Sequence, residues 1–172
     1  ADGKILIGGN FTKVNGAVDG SLVRLNADGT VDNSFQALVL PQFSYVSSFA
    51  VQTDGKIVAV GSFFKDSYSN MLRLNADGTV DTSFEPFDLQ NMGFLLRVAL
   101  DASGNIYVSN SNKLFKLDTD GEELAGFPVE VNTGGYFFSL KVHNDKAYIG
   151  GNFTSAGGEP RKNMAIINSD GT

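Results

Sequence analysis

The sequence contains no cysteine and no tryptophan, and it has a single histidine among 172 residues. The absence of cysteine excludes disulfide bonds, thiolate metal sites and cysteine nucleophiles together. Basic residues are also scarce, since 13 Lys and Arg stand against 19 Asp and Glu and form no basic run that could neutralise phosphates. No apolar run approaches the roughly 18 residues of a membrane-spanning helix. These absences argue against nucleic-acid binding and against membrane insertion.

What the sequence does contain is a repeat. A segment of eleven residues returns almost letter for letter, and two further copies are looser or shorter: residues 25–35, 74–84, 117–127 and 167–172. The turn glycines of the four copies recur after 49, 43 and 50 residues, at Gly29, Gly78, Gly121 and Gly171. Spacing of about 40 to 50 residues with short strands is typical of β-propeller blades, whereas helical repeats show 3.6-residue periodicity. The pattern therefore predicts an all-β propeller fold.

Turn signals inside each repeat predict two β-hairpins, and hence one four-stranded antiparallel blade. In the second repeat, the pairs Asp54-Gly55 and Asp77-Gly78 supply the positive φ that tight hairpin turns require. The strands predicted around them are residues 46–52, 56–63, 71–74 and 79–84. By the same alignment the chain holds about 3.5 blades. The predicted units are residues 1–45, lacking the first strand, 46–93, 94–135, and 136–172, lacking the last strand.

The incomplete first and last units carry a structural expectation. A closed propeller leaves no blade with an unpaired edge or an apolar face in water, and natural β proteins avoid both. The chain is therefore expected to be part of a larger propeller of roughly six to eight blades. The alternative is an assembly with other copies. In either case the expected partners are other blades of the same or a neighbouring chain.

One stretch of the repeat carries a family resemblance. Residues 2–12, DGKILIGGNFT, followed by residues 22–35, resemble the delta-60 repeat, a β-propeller repeat of large bacterial surface and secreted proteins and of some virion proteins. The resemblance covers essentially the whole chain and departs most at Ser109-Asn110, where the other units carry glycine. It implies a propeller fold and an extracellular or cell-surface location in a bacterium, or a place in a virion. It brings no catalytic residues.

The repeated turns suggest a metal site. Oxygen ligands spaced around a tight turn are typical of calcium loops. The candidate ligands are Asn26, Asp28 and Asp32 in the first repeat and Asn75, Asp77 and Asp81 in the second. The pattern lacks the third early ligand and the terminal glutamate of the full calcium loop. The alternative hypothesis is that these side chains hydrogen-bond their own turn backbone. No cofactor other than calcium is expected.

The predicted loops at one end of the propeller carry aromatic and planar side chains. Such side chains stack on sugars or anchor protein partners. The candidate binding residues are Phe43, Tyr45, Phe64, Tyr68, Phe87, Phe94 and Arg161. The alternative hypothesis is that these rings fill gaps between blades.

The sequence gives no sign of a catalytic centre. The single histidine, His143, flanks a hairpin turn, and a hydrolytic triad needs a nucleophile, a base and an acid brought together. The leading hypothesis is a non-catalytic propeller scaffold, not an enzyme, in a larger secreted, cell-surface or virion protein that binds glycan or protein. One alternative is a segment of a propeller enzyme of lyase or glycosidase type with its catalytic residues outside this chain. Another is a calcium-stabilised carbohydrate-binding module.

Overall fold

The computed structural model describes residues 3–11, 13–14, 16, 20–65, 68–86, 95–132 and 134–172. Every regular element in these residues is a β-strand, which confirms the predicted all-β class. In the same residues, no helix is long and apolar enough to cross a membrane. The chain divides into two compact units, Ala1–Ser83 and Phe84–Thr172.

The first unit contains two antiparallel sheets. Sheet 1 pairs β1 (Ile5–Gly8) with β2 (Leu22–Leu25). Sheet 2 has the order β3 (Tyr45–Val51), β4 (Ile57–Lys65), β5 (Tyr68–Leu74). Apolar side chains from the two sheets and their connections form one core: Leu22, Phe35, Leu38, Val46, Ile57, Ala59, Phe63, Leu72 and Leu74. Each large side chain buried there contributes roughly 1.5–3 kcal/mol.

The second unit contains a four-stranded sheet, a three-stranded sheet and a short hairpin. Sheet 3 has the order β6 (Arg97–Leu100), β7 (Ile106–Ser109), β8 (Lys113–Leu117), β9 (Val129–Glu130). Sheet 4 has the order β10 (Tyr136–His143), β11 (Lys146–Asn152), β14 (Met164–Ile167). A two-stranded hairpin, β12 (Ser155–Ala156) and β13 (Glu159–Pro160), lies between β11 and β14 in the chain. The core of this unit includes Tyr107, Leu114, Phe137, Ile149 and Ile167.

The hairpin turns form where the sequence predicts them. Gly55 has φ +86° and Gly104 has φ +87°, the left-handed region that favours glycine. The shorter turn in sheet 4 uses Asn144 at φ +48° and Asp145 at φ +55°, as a two-residue hairpin turn with two positive φ values requires. These local signals place the strand pairs of each sheet.

The predicted fourth strand at residues 79–84 is wrong. It forms only one bridge to the preceding strand, Leu74 with Val80, and the matching segment of the third repeat likewise forms the bridge of Leu117 with Glu123. In the second repeat the reason is Asp81, whose Oδ1 accepts hydrogen bonds from the Ser83 N–H at 3.1 Å and hydroxyl at 2.6 Å. Such a local side-chain turn competes with the ladder and directs the chain away from it.

Candidate functional site

The two Asn-x-Asp-Gly turns satisfy their own oxygen atoms. Asp28 Oδ1 accepts hydrogen bonds from the Thr30 N–H at 2.9 Å and from the Thr30 hydroxyl at 2.6 Å, and Asn26 Nδ2 donates to that hydroxyl oxygen at 2.9 Å. The second turn repeats these contacts through Asn75, Asp77 and Thr79. The hydroxyl hydrogen bond is the main cause that lowers the pKa of each of these aspartates. The carboxylates therefore face donors within their own turns.

Asp32 lies under two cations. Its Oδ2 is 2.7 Å from Arg24 Nε and 2.9 Å from Lys4 Nζ, and its Oδ1 accepts a hydrogen bond from the Ser34 hydroxyl at 2.6 Å. The Ser34 hydroxyl is the largest cause that lowers the pKa of Asp32, followed by Lys4, and together with Arg24 they outweigh the opposing effect of burial. This carboxylate is ionised and paired inside sheet 1.

The second repeat builds the same group around Asp81. Its Oδ2 is 2.7 Å from Arg73 Nε and 2.9 Å from Lys56 Nζ, and the Asp81 side chain is 7% exposed. Burial acts to raise the pKa of Asp81, but hydrogen bonds from Ser83, Lys56 and Arg73 outweigh burial and lower it. The repetition shows that the cation pair and the aspartate are one structural group of the repeat.

Four of the six predicted metal ligands, the aspartates, thus accept hydrogen bonds from nearby donors, and the two asparagines donate to threonine hydroxyls of their own turns. Among the described residues, no group of three or more His, Asp or Glu side chains is placed to hold a metal ion. A calcium ion at Asp32 or Asp81 would have to displace lysine and arginine from the carboxylate oxygens. The contacts support the hypothesis that these side chains stabilise their own turns, and calcium binding stays a prediction.

The predicted binding residues do not all lie in loops. Tyr45 begins β3, Phe64 lies in β4 and Tyr68 begins β5. These three positions are in strands because the β4–β5 hairpin continues beyond its irregularity to the pair Lys65 and Tyr68. Phe87 and Phe94 lie outside the described residues. Arg161 follows β13, where it is exposed and its Nη1 donates to the Pro160 carbonyl oxygen at 2.7 Å.

Two of these residues, Phe43 and Phe64, form an exposed aromatic end of sheet 2. Each lies two residues beyond the last pair between β3 and β4, Tyr45 with Ser62. Phe43 is 88% exposed and Phe64 is 61% exposed. Phe43 also has φ +68°, a backbone conformation that bulky side chains rarely adopt. The sequence predicts both rings, but no sequence signal marks the strained backbone of Phe43.

The cations of the repeat were missed as structural residues by reasoning from sequence. Lys4 and Lys56 hold matched positions before the second strand, and Arg24 and Arg73 hold matched positions in the third. That recurrence was an available signal, because a long cation returning at the same repeat position implies a fixed partner. The spacing of the aspartates by itself suggests a metal site instead.

Consecutive antiparallel sheets that carry the same turn at matched positions are the arrangement of blades in a β-propeller. The chain belongs to the family described as "Domain of unknown function (DUF5122) beta-propeller", which matches residues 1–35, 52–84 and 144–172, more than half of the chain. This match confirms that the chain belongs to a β-propeller repeat family. The delta-60 type is a narrower assignment than the matched family, and it stays a prediction. No curated protein shows significant sequence similarity to the chain.

Among solved structures, the chain is similar to the structure of a candidate gluconolactonase. The identity is 23%, the TM-score is 0.47, and the alignment covers 74% of this chain and 41% of the other. The present chain thus spans less than half of the length of that protein. The prediction that the protein is not an enzyme is contradicted by this finding, because the similar protein carries an enzyme name. At this identity the similarity brings no substrate and no catalytic residue to the chain.

Proposed function

We propose that the chain is an interaction module of a larger protein and binds glycan through the aromatic end of sheet 2. The observation that carries the proposal is the pair of exposed rings at one sheet end, Phe43 at 88% and Phe64 at 61% exposure. Aromatic rings of this kind stack on the apolar faces of sugars. Tyr45, which begins β3 at the same end, adds a ring with a hydroxyl.

The conformation of Phe43 supports a role outside folding. Burying a phenylalanine contributes roughly 1.5–3 kcal/mol, and this ring forgoes most of that contribution. Its φ of +68° adds backbone strain, which costs on the order of 1–3 kcal/mol and is concentrated at binding and active sites. Neither feature stabilises sheet 2, so both favour a ring that is held out for a ligand.

Polar groups suited to sugar hydroxyls lie beside the rings. Gln42 is exposed, and Ser62 faces Tyr45 across the strand pair. Asn70 Oδ1 accepts a hydrogen bond from the Phe63 N–H at 3.3 Å. Apolar rings interleaved with a few polar groups are the usual composition of small-ligand sites.

The test is binding of the chain to a panel of bacterial and host polysaccharides, by array and then by calorimetry. The double variant Phe43→Ala with Phe64→Ala is expected to lose at least about tenfold in affinity, since stacked aromatic anchors contribute 1 kcal/mol or more each. Phe138→Ala is the matched control, because Phe138 is 62% exposed on β10. Binding that survives the double variant, or falls equally in the control, contradicts the proposal. Loss of a protein partner instead of a glycan would change the ligand class and keep the site.

A second candidate is a segment of a propeller enzyme of lyase or glycosidase type, with its catalytic residues outside this chain. The name of the similar solved structure fits this candidate without assigning a residue. Assays of the whole parent protein with lactone, lyase and glycosidase substrates test it. Turnover that is abolished by changes in other parts of the parent protein would favour this candidate.

We also propose the finer assignment to the delta-60 type and a secreted, cell-surface or virion location. The DGKILIGGNFT stretch at residues 2–12 and the absence of cysteine support this assignment. Fractionation of the source cells, followed by detection of the parent protein, tests the location. Recovery from the cytoplasm alone would contradict it.

A further inference from the structure

In both units, a cation on one sheet binds the Asn-x-Asp-Gly turn of the following sheet. Arg24 on β2 donates from Nη1 to the Ala76 carbonyl oxygen at 2.7 Å. Lys116 on β8 donates from Nζ to the Ser169 carbonyl oxygen at 3.2 Å. Ala76 and Ser169 are each the second residue of their turn. We call this arrangement the clasp. In it, a cation on the third strand of one repeat, which is β2 in sheet 1 and β8 in sheet 3, binds the carbonyl oxygen of the second residue in the turn of the next sheet.

Each clasp cation lies over an aromatic ring of its own repeat. Arg24 is 4.8 Å from the centre of the Phe35 ring, and Lys116 Nζ is 5.1 Å from the centre of the Tyr107 ring. The ring attracts the cation and covers its aliphatic stem. Lys116 is also directly opposite Tyr107 in the strand pair of β7 and β8. The ring therefore helps to hold the cation in the position from which it reaches the next turn.

The backbones at the clasp are so close that the turn needs glycine. Gln36 N–H donates to the Asp77 carbonyl oxygen at 2.7 Å, and a Cβ on Gly78 would lie 2.2 Å from the Gln36 carbonyl oxygen. In the second unit, a Cβ on Gly171 would lie 2.0 Å from the Gly126 carbonyl oxygen. The Asp-Gly pair thus serves the hairpin and also the contact between sheets.

The turn of sheet 1 has the same sequence but lacks the close approach. Residues 26–29 repeat residues 75–78, yet Ala27 is exposed and a Cβ on Gly29 would meet nothing within 4 Å. Ile5 of the same sheet is 46% exposed. We propose that sheet 1 is a docking surface for a further repeat sheet whose third strand carries arginine or lysine, with that cation bound to the Ala27 carbonyl oxygen.

The last sheet of a second copy does not meet this requirement. Ile166 occupies the clasp position in sheet 4, because it pairs with Tyr148 as Lys116 pairs with Tyr107. Its side chain is 48% exposed and has no hydrogen-bond donor. Sheet 1 therefore selects a cationic repeat sheet over the apolar sheet 4 of another copy of this chain.

The test converts a second copy into the proposed partner. Ile166→Lys places the Lys116–Tyr107 pair on sheet 4, whereas Ile166→Gln is the matched uncharged control. Hydrogen bonds from charged donors are stronger than neutral ones. The lysine variant is expected to self-associate about tenfold more tightly than the glutamine variant in sedimentation equilibrium. Both changes are on an exposed strand position, and circular dichroism checks that the fold is kept.

A second variant identifies the surface that is bound. Adding Gly29→Asn to Ile166→Lys keeps the positive φ, which asparagine tolerates, but fills the space that the clasp leaves for glycine. The gain in association is expected to disappear in this double variant. In addition, the Ile166→Lys chain is expected to shift the amide signals of Asp28 and Gly29 in labelled wild-type chain, and not those of the Asn144-Asp145 turn.

Four results would overturn the proposal, and the first three concern the strength of association. They are equal association of the lysine and glutamine variants, a gain that survives Gly29→Asn, and wild-type self-association as tight as that of the lysine variant. Absence of any association of the lysine variant up to about 1 mM, the range of the weakest specific contacts, would also overturn it. None of these variants changes Phe43 or Phe64, so either proposal can fail without the other.

Discussion

Gly78 and Gly29 occupy the same turn position in two repeats, and alanine at each should have different effects. Gly78 has φ +89° and Gly29 has φ +83°, so both substitutions force alanine into the left-handed region. That strain costs roughly 1–2 kcal/mol at either position. Only at Gly78 does a neighbour also obstruct the new side chain, since its Cβ would lie 2.2 Å from the Gln36 carbonyl oxygen.

The additional cost at Gly78 follows from that contact. The Gln36 segment must move away, which breaks the 2.7 Å hydrogen bond from Gln36 N–H to the Asp77 carbonyl oxygen. A lost hydrogen bond costs about 1 kcal/mol and overpacking costs about 1–3 kcal/mol. Gly78→Ala is therefore expected to lower the free energy of unfolding by about 3–6 kcal/mol, against roughly 1–2 kcal/mol for Gly29→Ala.

Urea unfolding followed by far-ultraviolet circular dichroism measures both variants, because the chain has no tryptophan to report fluorescence. Thermal melts provide a second readout, in which Gly78→Ala should lower Tm by about 4–16 °C more than Gly29→Ala does. Equal destabilisation of the two variants, within about 0.5 kcal/mol, would refute the close packing between the sheets of this unit.

Further predictions concern the aspartates and their cations. Asp81 has a pKa below its ordinary value of 3.8, so its stabilisation is complete above that pH and is lost as pH falls through the lowered pKa. The urea concentration at the midpoint of unfolding should therefore decrease as the pH falls below about 4, and it should decrease less in Asp81→Asn than in the wild type. Parallel plots of midpoint against pH for the two proteins would contradict this prediction. Arg73→Met should cost about 2–3 kcal/mol at pH 7, because it removes one partner of a buried pair, and a neutral result would count against that pairing. Added calcium and EDTA should leave Tm unchanged, since Asp28 and Asp77 already accept donors; a rise of more than about 2 °C with calcium would support the metal hypothesis.

Local structure was largely predictable from the sequence. Asp-Gly pairs predict hairpin turns because the positive φ and the side-chain hydrogen bond arise within three or four residues. Alternation of apolar residues along a strand indicates which face is buried, and Val58, Tyr107 and Leu74 are fully buried. The fourth strand of the second repeat was wrong because Asp81 and Ser83 form a local turn that the alternation pattern does not reveal.

The candidate site was only partly predictable. The exposed rings could be named from composition, but the strand positions of Tyr45, Phe64 and Tyr68 depend on how far the β4–β5 ladder continues. The aspartates could be named as well, yet their partners could not. Lys4, 22 residues from Asn26 in sequence, donates to its side chain, and a spacing pattern within the turn contains no information about it.

The sequence by itself determined the repeat, the turns, the strands of each hairpin and the all-β propeller class, because these depend on interactions between near neighbours. Only the tertiary structure decided what the repeated turn is for. Arg24 reaches Ala76 across 52 residues and Lys116 reaches Ser169 across 53. Such contacts exist only when two sheets pack face to face, so the glycine and the carbonyl at each clasp acquire their role from the packing.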